Sequence, residues 1–133
     1  MNLKLIFRIF GGLNMLTGAF ALFATKAMLG SAGLTVTSEL ITVGQGFAIA
    51  AIALGLVSWR TADIAGKSLY AYGQLFGIVQ SLQILLIVYH LITGQAGGPP
   101  VYINLVVGIV LVALFYLYSQ QDDNSVTISD EEE

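Results

Sequence analysis

Four stretches of this chain, roughly residues 5–29, 40–59, 69–92 and 101–118, continue for the length of a membrane crossing with almost no charged side chain. A hydrocarbon core about 30 Å thick takes about 20 residues of helix at about 1.5 Å each, and each stretch meets or approaches that length. Inside lipid a backbone must satisfy its own N–H and C=O groups, so each stretch is expected to be helical. Composition closes off the aqueous alternative. Of 133 residues, 56% are hydrophobic and 10% charged, whereas a soluble domain carries about a quarter charged residues. The fourth stretch contains twelve Leu, Ile, Val and Phe residues, enough to contribute about −5 kcal/mol to insertion without help. The expected fold is an all-α integral membrane four-helix bundle over residues 1–119, followed by an acidic tail over 120–133.

The breaks carry their own signals. Gly30, Ser31 and Gly33 end the first span, and Thr37 or Ser38 can cap the second, with Glu39 in its first turn. Asp63 and Gly66 mark a short turn, and the run from Gly94 to Pro100 is a loop whose prolines suit a helix start. Lys4, Arg8, Arg60 and Lys67 fall on one side of the expected bundle and Lys26 alone on the other. The positive-inside rule then sets both termini in the cytoplasm. Lys4, Arg8, the apolar run and the small residues near Ala19 and Ala21 also resemble a secretory signal peptide. A retained first span is the reading adopted.

Charge and motif exclude several functions. The net charge is −3, but six of the eight acidic residues, Asp122, Asp123, Asp130, Glu131, Glu132 and Glu133, lie at the C-terminal end. Nothing here is a clustered basic surface for nucleic acid. There are no cysteines, which removes thiolate metal sites and thiol chemistry. No carboxylate falls well inside a span, which argues against proton-coupled transport. No catalytic constellation or cofactor motif is present, so neither enzymatic activity nor a bound cofactor is expected. His90, the only histidine, could in principle ligate haem or relay protons. A second axial histidine does not exist, and Met1, Met15 and Met28 offer no partner at matching depth. Its place at the end of the third span suits an interfacial residue at a helix C-terminus.

Two sets of residues remain as candidates. Small residues recur on helix faces: Gly11 and Gly18 in the first span, Gly46, Ala51 and Gly55 in the second, Gly73 and Gly77 in the third, and Gly108 in the fourth. Such faces let backbones approach closely, within one bundle or against another subunit. Five amides, Asn14, Gln45, Gln80, Gln83 and Asn104, are expected near the middle of the spans as a polar layer. They either bond between helices or line a small polar cavity for a neutral ligand or headgroup.

The run Arg8-Ile-Phe-Gly-Gly-Leu, then Thr17-Gly18-Ala19 and Lys26, then Glu39-Leu40-Ile41 leading to Gly44, Gly46, Ala53-Leu54-Gly55-Leu56 and Trp59-Arg60, resembles the DoxX-like proteins and neighbouring four-span bacterial families. The likeness covers the first half in motif and the whole chain in architecture, with a late histidine in the third span and a Gly-Pro loop before the fourth. It implies a multi-pass protein of a prokaryotic cytoplasmic (inner) membrane, and some members are the small membrane partner of a quinone-linked oxidoreductase. Three roles are therefore expected, in order. The first is an accessory subunit of a larger membrane assembly, with the lipid bilayer and other membrane subunits as partners. Next comes a carrier or channel for a small molecule or lipid built on the amide layer. A quinone- or haem-associated subunit is third.

Overall fold

A computed structural model of the chain describes residues 2–120. Apart from Gln120, the acidic segment expected over 120–133 lies outside the described residues. The described chain is a bundle of helices: α1 (Leu3–Phe23), α2 (Thr25–Ser31), α3 (Ser38–Ile64), α4 (Leu69–Ile92) and α5 (Pro99–Ser119), with a 3₁₀ turn over Gly66–Ser68. Four of them are long and apolar enough to cross a membrane.

The first span is not one continuous helix. It breaks at Ala24, whose φ and ψ of −119° and 36° leave the helical region, so the expected span over 5–29 becomes α1 and the short α2. The Thr25 hydroxyl donates back to the Ala21 carbonyl at 2.6 Å and the Leu22 carbonyl at 3.1 Å, both in the last turns of α1. α3 extends beyond its expected 40–59 at both ends. Thr37 caps it by accepting from the Leu40 N–H at 3.2 Å. At the other end the Thr61 hydroxyl donates to the Val57 carbonyl at 2.7 Å, so polar residues do not end the helix.

The helices pack as two tight pairs. α1 lies against α3 with Gly11 facing Gly55 and Gly18 facing Ala48. A Cβ on Gly11 would sit 2.7 Å from the Gly55 carbonyl oxygen, and one on Gly55 2.7 Å from that of Gly11, so neither position has room for a side chain. The buried Ser58 hydroxyl adds a bond across this pair, donating to the Phe7 carbonyl at 2.8 Å. In the second pair, α4 against α5, Gly77 admits the Tyr116 ring and Gly108 the Gln80 and Ile84 side chains, while Gly73 admits Ser119 and, from α1, Leu3.

Phenylalanines join the pairs at one end. Phe7, Phe10, Phe76 and Phe115 form a cluster with ring centroids 5.0 to 5.9 Å apart, mostly edge to face. Ile6, Leu3, Ala62, Leu69 and Leu111 complete this core. Lys4, Arg8, Arg60 and Lys67 belong to the same end, where Arg8 pairs with Asp63 at 2.8 Å and Arg60 stands 3.9 Å from it. At the far end the Gly97 N–H donates to the Ala32 carbonyl at 3.0 Å, tying the α4–α5 loop to the end of α2.

Candidate intramembrane binding cavity

Beyond the phenylalanine core, the surfaces that the two pairs turn toward each other are short-sided. α3 offers Ala50 and Ala51, α5 offers Gly108, and α1 offers Asn14 and Thr17. Beside these short residues a cavity of about 410 Å³ remains, lined by all four long helices. Each helix contributes residues at spacings of three and four, as one helical face must: Phe10, Leu13, Asn14 and Thr17 from α1, and Phe47, Ala50, Ala51 and Leu54 from α3. From α4 come Gln80, Gln83 and Ile87, and from α5 Asn104, Val107, Gly108 and Leu111. The phenylalanine core closes the cavity toward the basic end. Phe47 and Ile103, at 65% and 61% exposed, leave it open at the side.

Four of the five expected amides meet here. Asn14 and Gln80 each lie one helical turn beyond a core phenylalanine, Phe10 and Phe76, which places both about 6 Å farther from the basic end than those rings. Gln83 is about 4.5 Å beyond Gln80 along α4, and Asn104 about 6 Å beyond Gly108, which touches Gln80. The amides thus form a band that climbs through the middle of the bundle. Asn14 is anchored, its Nδ2 donating to the Phe10 carbonyl at 2.9 Å and its Oδ1 remaining an acceptor. Among the described residues, no hydrogen bond engages the side-chain amides of Gln80, Gln83 or Asn104; Gln80 is half-buried, while Gln83 and Asn104 are exposed on the open side.

Gln45 does not belong to this band. It does not line the cavity, and the cavity-facing stripe of α3 runs through Phe47, Ala51 and Leu54. At about 100° per residue Gln45 is about 180° from Leu54, on the opposite face. Gly46 departs for the same reason: it is exposed, and a Cβ there would meet nothing within 4 Å. Ala51 faces the cavity, while Gly11, Gly18, Gly55, Gly73, Gly77 and Gly108 are all buried against the chain's own helices.

His90 stands apart, half-buried in the last turn of α4, its ring 5.9 Å from that of Tyr89 and outside the cavity lining. Among the described residues no three of His, Cys, Asp and Glu gather into a group able to hold a metal ion. Two polar residues of consequence escape a reading by residue type. Thr17 lines the cavity one turn beyond Asn14, and that spacing from Asn14 was the available signal. Ser58 bonds between helices at a site that an apolar span gives no reason to single out.

No protein-family model matches this chain, and neither a curated protein nor a solved structure does. The geometry of the cavity therefore carries the functional argument.

Proposed function

We propose that this chain is an intramembrane binding protein for a small molecule or lipid, held between the two helix pairs. One observation carries the reading: a cavity of about 410 Å³, within the size range of ligand pockets, has three amides on its wall with no partner among the described residues. An unsatisfied amide in a medium without water costs about 1–3 kcal/mol or more, so a band of them is stable only against something that hydrogen-bonds. A ligand head supplies those bonds, and water does so in its absence.

A channel fits less well, because a continuous pore would have to pass the interlocked phenylalanines at the basic end. An accessory subunit docking through glycine faces fits less well too, since six of the seven candidate glycines are covered within the chain. The prokaryotic cytoplasmic membrane is proposed as its location, with both termini inside.

Native mass spectrometry of the protein extracted in mild detergent tests the reading. The wild type is expected to keep an adduct of defined mass that Ala51→Phe, which fills the cavity, loses. A wild type released as bare polypeptide, or one whose adduct survives Ala51→Phe, overturns it.

A further inference from the structure

Resting on that reading, we infer that the ligand is an uncharged, single-chain amphiphile whose hydroxyl or ester head enters the amide band while its tail leaves sideways into the bilayer. The chemistry of the wall excludes a charged head. Among the described residues no charged side chain lines the cavity, and Arg8 is already paired with Asp63 at the basic end, beyond the phenylalanine core. A carboxylate or phosphate drawn into the band would leave water without a counter-charge, and the same holds for an ammonium.

Amides complement a neutral oxygen-rich head. Each offers two N–H donors and a carbonyl acceptor, which matches hydroxyls that both give and take a hydrogen bond and an ester carbonyl that takes one. Asn14 is the exception: one Nδ2 hydrogen is donated to the Phe10 carbonyl, so it offers its Oδ1 and the other N–H. Gln80, Gln83 and Asn104 follow in a rising band, so several head oxygens spaced along a short backbone can be held together.

Size and openness give the tail its route. Scaling from a cavity of about 150 Å³ that holds benzene, about 410 Å³ holds about 16 heavy atoms. That is room for a glycerol-like head and the first carbons of one acyl chain, and not for a whole lipid. The exposed Phe47 and Ile103 mark where the remainder passes into the hydrocarbon.

The test is a titration followed by native mass spectrometry, with three probes presented in the same detergent: monoolein, oleate and dioleoylphosphatidylglycerol. Monoolein is expected to bind one per chain, at least tenfold more tightly than either charged probe. Gln83→Leu is expected to weaken it about tenfold, with Asn104→Leu as an independent second variant should the first fail to fold. Equal or tighter binding of oleate, still abolished by Ala51→Phe, overturns the neutral head and leaves the cavity reading standing. So does monoolein binding that neither leucine variant weakens. If Ala51→Phe changes binding of none of the probes, both the inference and the cavity reading fall.

Discussion

Gly55 shows how much of the packing rests on the absence of one carbon. The Cβ that an alanine would add there meets the Gly11 carbonyl oxygen at 2.7 Å and the Met15 backbone nitrogen at 2.9 Å. Backbone atoms on the facing helix cannot rotate away, so α1 and α3 must separate. Gly55→Ala is expected to cost about 1–3 kcal/mol, read as a lowered denaturation midpoint in mixed micelles. Gly46→Ala in the same assay is expected to cost nothing and to gain up to about 1 kcal/mol, because Gly46 faces open space within a helix. Both glycines are visible in the sequence, but nothing local separates them. Which one is buried depends on the rotation of α3 about its axis, set by Ser58, Ala48 and Gly55 packing on α1. Ser58→Ala, which leaves the Phe7 carbonyl without that donor, is expected to lower stability by about 0.6–1.7 kcal/mol in the same measurement.

Among the elements, α4 spans the 69–92 expected from hydropathy alone, whereas α1 and α3 do not keep their expected bounds. Hydropathy locates the part of a helix that lies in lipid; its ends are set by capping and by hydrogen bonds that hydropathy does not register. Thr37→Ala removes the acceptor for the Leu40 N–H and is expected to cost about 1 kcal/mol by chemical denaturation in micelles. Gly98 is a sharper case, with φ of +84° and the Ser31 carbonyl oxygen where a side chain would begin. Gly98→Ala is therefore expected to cost more than about 1 kcal/mol and to loosen the tie between the Gly97 N–H and the Ala32 carbonyl, seen as faster amide exchange at Gly97. The loop itself is announced by its Gly-Gly-Pro-Pro run. Its contact with the end of α2, more than sixty residues away, is not.

For the whole molecule, the sidedness expected from where the cations lie is checked without removing any native thiol, because the chain has no cysteine. In intact cells a membrane-impermeant maleimide is expected to label Gln95→Cys and to leave Lys67→Cys unmodified until the membrane is opened; the reverse pattern would invert the topology. Residence in lipid, helical backbone and approximate span positions were all contained in the order of the residues. Each follows from a local requirement, that a run of apolar side chains leaves water and that a backbone in hydrocarbon must bond to itself. The cavity was not contained there in the same way. Asn14 and Gln45 are amides of the same chemistry in comparable runs, yet one lines the cavity and the other is exposed on the far face of α3. That difference arises because close glycine contacts fix each helix's rotation, while four phenylalanines from three helices hold the two pairs together at one end and the small residues beyond them leave a gap. Such a gap depends on side chains brought together from distant parts of the chain, so it exists only once the helices have packed.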